Sequence, residues 1–201
     1  MTSQLTGTDD GAGGVPRGSS VAASAGLGVL AAAIGYLVTY VLIVSEVHEA
    51  FGDEIADWKG VAWYFYNAHM VDVEASGAFG SLGGTSTVDL IAQSNAAGAD
   101  LLYVIPPLVL LTVGAIAAVQ WNVTDIGAAV VVGAPVTLGY AAVMALGALV
   151  AESSTEIEVF GVEATGSIAP AFVPAFVLGG VLYPLVFATA GAILAALFNA
   201  R

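Results

Sequence analysis

The sequence predicts an all-α membrane protein, a bundle of four transmembrane helices with a small extracellular cap that has room for a short β-sheet. Three observations predict this fold class. Hydrophobic residues make up 58% of the 201 residues and charged residues only 9%, against about 25% charged residues in a typical soluble domain. Four apolar stretches are long enough to cross a bilayer, which takes about 20 residues. Each stretch is continuous rather than alternating, which favours helices over a membrane β-barrel.

The composition also excludes several classes of protein. The chain has 3 Lys and Arg residues against 16 Asp and Glu residues. It therefore lacks the positive charge that neutralises a phosphate backbone, and we expect no nucleic-acid partner. The chain has no Cys, which excludes a disulfide-stabilised scaffold. The expected partners are the lipid bilayer of the cell membrane and, through protein contacts, a second copy of the chain or another membrane protein.

The four predicted spans divide the chain into a tail, two loops and a turn. Residues 1–20 form a tail rich in Gly, Ser and Thr, which we expect to be flexible. The spans cover residues 21–45, 99–119, 126–151 and 169–198. Between them lie a long loop at residues 46–98, a turn at residues 120–125 and a shorter loop at residues 152–168.

The few positive charges predict the orientation. Arg17 precedes the first span and Arg201 ends the chain, whereas Lys59 lies in the long loop. Because positive charge favours the cytoplasmic side, we expect the N- and C-termini in the cytoplasm and the two loops outside the cell. Most acidic residues then belong to the outer side, 9 in residues 46–100 and 4 in residues 152–163. The sequence thus predicts an acidic extracellular cap.

Small residues and prolines characterise the spans. Gly and Ala recur four residues apart, a spacing that lets helix backbones approach closely in lipid, and this predicts a compact bundle. The spacings are Gly28/Ala32, Ala31/Gly35, Gly114/Ala118, Gly147/Ala151 and Gly191/Ala195. Pro135 and Pro184 lie well inside the third and fourth spans and are candidate helix kinks.

The spans offer few groups for chemistry. Their central parts contain no Asp, Glu, Lys, Arg or His, whereas ion-coupled transporters normally carry such a group within the membrane. His69 and Asp72 supply two of the ligands that a metal site needs, a fragment that often arises by chance. We therefore expect no catalytic residue, no cofactor and no bound metal, and we do not expect an enzyme.

The densest aromatic segment lies in the long loop, where residues 63–69 have the sequence WYFYNAH. Trp and Tyr favour the lipid headgroup region, so an interfacial or re-entrant segment is one interpretation. A pocket for a ligand or a partner is the other. The candidate interfacial or partner contacts are Trp58, Trp63, Tyr64, Phe65, Tyr66 and His69.

Alternating segments in both outer loops predict the extracellular sheet. Residues 70–74 (MVDVE) and 155–165 (TEIEVFGVEAT) alternate apolar with polar side chains, which indicates strands that could pair with each other. Residues 75–95 are rich in Gly, Ser and Thr, and we expect a loop there with a short helix at residues 88–94. Residues 46–60 are amphipathic, so they either continue the first helix or lie on the membrane.

Composition and three short segments carry a resemblance to a known family. An isoelectric point near 4.1 is typical of proteins from salt-loving archaea, because high salt screens the repulsion among carboxylates. The segments are GYLVTYVLI (residues 35–43), Trp58-Lys59-Gly60 and FYNAH (residues 65–69). With them the chain resembles an uncharacterised family of small four-span membrane proteins of haloarchaea, some of which carry an automatic transporter label. The resemblance carries over no activity and no site residue.

Two hypotheses for function follow from these features. The first is a non-catalytic integral membrane protein, structural or partner-binding through its acidic extracellular cap. The alternative is a subunit of a small-solute transporter or channel, which Pro135, Pro184 and the aromatic segment would support. A wet cavity within the membrane would favour the alternative, and a dry, packed bundle would favour the first hypothesis.

Overall fold

A computed structural model describes residues 17–79, 81–159 and 162–201 of the chain. Four of its helical segments are long and apolar enough to cross a membrane, and a small antiparallel sheet of four strands accompanies them. The prediction of a mainly helical chain with four such helices and a small sheet is confirmed. Most of the predicted tail, residues 1–16, lies outside the described residues.

The first helix is longer than the predicted span. Helix α1, Arg17–Phe51, continues past residue 45, because residues 46–51 keep a helical pattern in which Val47 is buried and Glu49 is exposed. Of the two interpretations of residues 46–60, continuation of the first helix therefore holds as far as Phe51. Gly52 ends the helix with a φ of +57°, a left-handed conformation that glycine adopts without steric cost.

The other three candidate spans are interrupted helices. The second consists of a 3₁₀ segment, Ala99–Val104, and helix α4, Ile105–Gln120. The third consists of helices α5, Ile126–Gly133, and α6, Val136–Val150. The fourth consists of helix α7, Phe172–Pro174, a π-helical stretch, Ala175–Leu182, and helix α8, Tyr183–Asn199.

Both candidate kink prolines lie at these interruptions. Pro135 separates α5 from α6, and Pro184 lies in the first turn of α8, directly after the π-helical stretch. Proline lacks a backbone N–H, and the first turn of a helix leaves that group without an intrahelical partner in any case. Pro135 therefore lies where α6 begins. Pro184 instead lies where the helix continues from the π-helical stretch, since the Tyr183 N–H still bonds to the Leu178 carbonyl.

Glycines determine the closest helix crossings in the bundle. At four positions a Cβ atom would overlap a backbone carbonyl oxygen of the neighbouring helix, so only glycine permits the observed approach. The glycine–backbone pairs are Gly28–Val136 and Gly139–Ala25 between α1 and α6, and Gly114–Ala188 and Gly191–Leu111 between α4 and α8. Both crossings are reciprocal, with one glycine contributed by each helix.

Two shorter helices belong to the long loop. Helix α2, Asp57–Asn67, follows a 3₁₀ turn and packs against α1. Helix α3, Leu90–Gln93, begins at Asp89, whose carboxylate accepts a hydrogen bond from the Ala92 N–H. This bond satisfies one of the N–H groups that a helix start leaves unpaired.

The sheet has the strand order β2-β1-β4-β3. Its strands are β1, Val73–Phe79, β2, Leu82–Val88, β3, Ser153–Val159, and β4, Val162–Pro170. The predicted pairing between the two outer loops is confirmed, because β1 pairs with β4. Two details of the prediction were wrong. Residues 75–79 and 82–88 belong to the paired strands β1 and β2 rather than to a loop, and residues 155–159 and 162–165 belong to the paired strands β3 and β4 rather than to one strand.

Candidate functional site

Helix α2 is attached to the C-terminal end of α6 by polar side chains. Lys59 Nζ donates to the carbonyl oxygen of Glu152 at 2.5 Å, and Trp63 Nε1 donates to that of Ala151 at 2.9 Å. Carbonyl groups at the end of a helix lack intrahelical partners, and a positive charge is favourable there. These two side chains therefore bind the carbonyls of the two residues that directly follow α6.

A second group of hydrogen bonds lies deeper along α6. The Tyr66 hydroxyl donates to the Met144 carbonyl at 2.6 Å. His69 Nδ1 lies 2.7 Å from the Phe65 carbonyl oxygen, and His69 Nε2 lies 2.7 Å from the Tyr140 hydroxyl. Because a carbonyl oxygen only accepts, Nδ1 donates to Phe65, and Nε2 of the neutral ring accepts from Tyr140.

Burial determines the protonation of this group. His69 lies outside the four candidate spans and is fully buried. Burial lowers the pKa of its imidazole from 6.5 to about 4, against the smaller opposing effect of the bond to the Phe65 carbonyl. Burial also raises the pKa of the Tyr66 hydroxyl above its ordinary value. Both groups are therefore neutral near pH 7, which suits a structural network better than proton transfer.

His69 has no lone pair left for a metal, since one ring nitrogen donates and the other accepts. Within the described part of the chain, no three His, Cys, Asp or Glu residues lie close enough together to hold a metal ion. The absence of a bound metal stays a prediction.

The structure places five of the six predicted interfacial or partner contacts inside the protein. The side chains of Trp63, Tyr64, Phe65, Tyr66 and His69 are between 0% and 4% exposed, whereas Trp58 is 43% exposed. These five rings face the protein core rather than lipid headgroups or a partner. Of the predicted set, only Trp58 is exposed.

Glycines on the neighbouring elements make room for these rings. Gly35 of α1 packs against the Phe65 ring, Gly147 of α6 packs against the Tyr66 hydroxyl, and Gly60 of α2 itself lies against Val47. The sequence contains the spacing of these glycines, but it does not reveal that a helix from the loop fills the space beside them.

Asn67 is a structural residue that sequence reasoning missed. Its Nδ2 donates to the carbonyls of Val71 at 2.9 Å and Val88 at 3.4 Å, and its Oδ1 accepts from the Leu90 N–H at 2.9 Å. The side chain thus joins the end of α2 to the base of the sheet and to α3. The signal in the sequence was an amide side chain inside an aromatic segment, because a polar group that is buried there needs hydrogen-bond partners.

The sheet separates its side chains by charge. Residues directly opposite each other on paired strands point to the same side of the sheet. All charged residues of the strands therefore lie on one face, which we call the acidic face. They are Glu74, Glu156, Glu158 and Glu163.

The other side, which we call the uncharged face, holds Val73, Ala75, Gly77 and Phe79 of β1 and the residues opposite them. Near the far end of the hairpins, Phe79, Leu82 and Ile157 are 51%, 76% and 57% exposed. A row of glycines crosses the middle of this face, formed by Gly77, Gly84 and Gly166.

The fold and these surfaces define a class of protein. Four helices long and apolar enough to span a membrane suggest a multi-pass membrane protein, and nothing found indicates a catalytic role.

The chain belongs to the family of unknown function DUF7978, whose model matches residues 3–199. No curated protein and no solved structure matches the chain. The resemblance to an uncharacterised family is thereby confirmed, and an origin in salt-loving archaea stays a prediction.

Proposed function

We propose that this protein is a non-catalytic integral membrane protein that assembles with a second copy of itself through the uncharged face of its sheet. The observation that carries the proposal is the separation of charge between the two faces of the sheet. Its four helices would anchor the chain, and the sheet would stand outside the membrane as the assembly surface.

The charge of the whole chain favours this face for self-association. The formal net charge is −13, so two copies repel each other wherever their acidic surfaces meet. The uncharged face lets two copies approach without bringing carboxylates together. Burying Phe79, Leu82 and Ile157, which are all exposed in the single chain, would supply a hydrophobic driving force of the kind that exposed apolar patches indicate.

The shape of the face also suits another sheet. A Cβ at Gly84 would meet nothing within 4 Å, and Cβ atoms at Gly77 and Gly166 would meet only backbone oxygens 3.8 Å and 3.9 Å away. The glycine row is therefore a shallow open strip beside the apolar row of Phe79, Leu82 and Ile157. Two sheets pack face to face when side chains of one fill such depressions in the other.

The same proposal includes the orientation expected from the sequence. Arg17 and Arg201 would lie in the cytoplasm and the sheet outside the cell, since four spans place both termini on one side. An external protease added to intact cells would then cleave within the exposed hairpins and leave the N-terminal tail intact. Removal of the tail would contradict this orientation.

Two substitutions on the same strand test the assembly. Leu82 lies on the uncharged face and Thr85 on the acidic face of β2, and both are exposed. In mild detergent, light scattering coupled to size exclusion should show a dimer of the unmodified protein. Leu82→Glu should weaken it by about tenfold or more, since a carboxylate would be buried at the contact. Thr85→Glu should leave the dimer unchanged. A wild-type protein that stays monomeric, or two variants that behave alike, would refute the proposal.

A transporter or channel subunit is the second candidate, and one arrangement favours it. The interrupted third and fourth spans meet near His69, because Gly179 of the π-helical stretch packs against His69 and Tyr140 of α6 bonds to it. π-helical stretches and broken helices are frequent at functional sites in membrane proteins. Against it stands the packing, in which both nitrogens of His69 are already bonded.

Permeability of reconstituted vesicles separates the two candidates. We expect liposomes that contain the protein to swell in small-solute gradients, and to leak protons to a trapped pH-sensitive dye, no faster than protein-free liposomes. A flux that appears with the wild-type protein and disappears with His69→Gln would establish the alternative instead.

A further inference from the structure

An apolar cavity of about 260 Å³ opens between α1, α2 and α6. Small side chains on facing helices create the space, and aromatic rings close its inner wall. The residues that shape it are Ala32, Ala33, Tyr36, Phe65, Tyr66 and Gly147. The hydroxyls of Tyr36 and Tyr66 already donate to the carbonyls of Trp58 and Met144. The cavity therefore offers hydrocarbon-like surface and almost nothing that would hold water.

The open side of the cavity faces where lipid would lie. Ala33 of α1 and Val150 of α6 both line the cavity and are both exposed. Both also belong to candidate membrane spans. An occupant would therefore enter from the side, out of the bilayer, rather than along the bundle axis.

A positive charge lies at one end of the cavity. Lys59 Nζ is 5.7 Å from the centre of the Trp58 ring and donates to the carbonyl of Glu152. Trp58 lines the cavity, and so does Val150, two residues before Glu152. The ammonium group therefore adjoins the Trp58–Val150 end of the space.

Lys59 is the only lysine in a chain with 16 acidic residues, yet no carboxylate pairs with it among the residues that the structure describes. The single ion pair found there joins His48 to Asp57. An ammonium group has three donors, and the Glu152 carbonyl accepts from one of them. The remaining donors suit an anion that arrives from outside the chain.

We propose that this cavity binds one hydrocarbon chain of an anionic phospholipid, whose phosphate pairs with Lys59. The two observations are independent, since the apolar space selects a hydrocarbon chain and the unpaired cation selects the charge of the headgroup. The site does not involve the uncharged face of the sheet, so it stands or falls separately from the proposed dimer.

Filling the cavity tests the hydrocarbon part of the proposal. Ala33→Phe would place a ring in the cavity from an exposed position, and Ala142→Phe would place the same ring on an exposed position of α6 outside the lining. Delipidated protein would be offered equal amounts of phosphatidylglycerol and phosphatidylcholine in mild detergent, and native mass spectrometry would count the bound lipids. The wild type and Ala142→Phe should retain one lipid per chain, which Ala33→Phe should lose.

Removing the charge tests the headgroup part. The wild type should prefer phosphatidylglycerol by about fivefold, the preference expected for one cation near a phosphate. Lys59→Gln keeps a donor for the Glu152 carbonyl but removes the charge, so the bound lipid should persist without preference.

Equal lipid retention by Ala33→Phe and Ala142→Phe would overturn the site, as would equal headgroup preference in the wild type and Lys59→Gln. If Ala33→Phe instead dissociated a dimer, a helix of a second copy would be the occupant and the lipid proposal would be wrong. Melting temperatures of all variants control for folding. Should Ala33→Phe fail to fold, Ala33→Leu makes the same comparison with a smaller side chain.

Discussion

The helical bundle and the sheet use glycine in opposite ways. In the bundle, a Cβ at Gly114 would run into the backbone of Ala188, so the absence of a side chain permits two helices to touch. In the sheet, a Cβ at Gly84 would meet nothing within 4 Å. The glycines at the helix crossings are thus covered within one chain, whereas Gly77, Gly84 and Gly166 of the sheet face open space. This difference indicates that the helix crossings are packed within one chain, whereas the uncharged face of the sheet has room for contact with another molecule.

The largest expected effect comes from adding one methyl group at a helix crossing. Gly114→Ala should lower the free energy of unfolding by about 2–3 kcal/mol, because α4 and α8 must separate to admit the Cβ. Gly84→Ala should change it by less than about 0.5 kcal/mol, since that position is open and alanine restricts the unfolded chain. Thermal unfolding in mild detergent, followed by circular dichroism, measures both.

Gly26 provides the control for helix propensity. It lies in α1 and, as at Gly84, an added Cβ would meet nothing within 4 Å. Gly26→Ala should stabilise the protein by up to about 1 kcal/mol, the usual gain in a helix. If Gly114→Ala behaved like Gly26→Ala, the α4–α8 crossing would not be as close as described.

The next largest effect should come from acidification, which lowers the free energy of unfolding through protonation of His69. Its pKa is 6.5 in an unfolded chain and about 4 when folded, so between these values the unfolded state binds a proton that the folded state excludes. The stabilisation is therefore fully present above pH 6.5 and is lost as the pH falls toward 4. Between pH 6.5 and 4.5 the loss amounts to about 2 kcal/mol, since the limiting slope is 1.36 kcal/mol for each pH unit.

A non-titrating variant isolates this contribution from that of the acidic residues. His69→Gln keeps donor and acceptor groups but removes the titration, so its melting temperature should fall less than that of the wild type between pH 6.5 and 4.5. If the melting temperatures of the two proteins fell equally with pH, His69 would be protonated as readily in the folded state as in the unfolded state, and the prediction would be wrong.

The helices were predictable because their signal is local. A continuous apolar run specifies a membrane-length helix wherever it packs, and the glycines of the α4–α8 crossing, Gly114 and Gly191, appeared in the spacing pattern. Gly139, which completes the α1–α6 crossing, did not appear there. Whether a glycine meets a neighbouring backbone depends on which helices pair, and helix pairing is a tertiary property.

The sheet and the burial of α2 were less predictable because both depend on contacts between residues that are far apart in the sequence. Strand β2, LGGTSTV, has weak strand propensity, and its pairing with β1 supplies the stability that composition does not. Similarly, the pattern of residues 155–165 placed Ile157 and Glu156 on opposite sides. Only the registers of β1 and of β3 against β4 show that Phe79 and Ile157, both opposite Ala164, lie on one uncharged face.

The smallest expected effects come from removing one side-chain hydrogen bond among the helices and one in the sheet. Tyr66→Phe removes the buried bond to the Met144 carbonyl and should cost about 1 kcal/mol. Ser76→Ala removes the 2.8 Å bond to Ser167 on the exposed acidic face, where water replaces the lost partner, and should cost less than about 0.5 kcal/mol. Denaturant titration of both variants in the same detergent measures the difference. Equal costs would mean that the acidic face is also covered, which a dimer formed through the uncharged face does not allow.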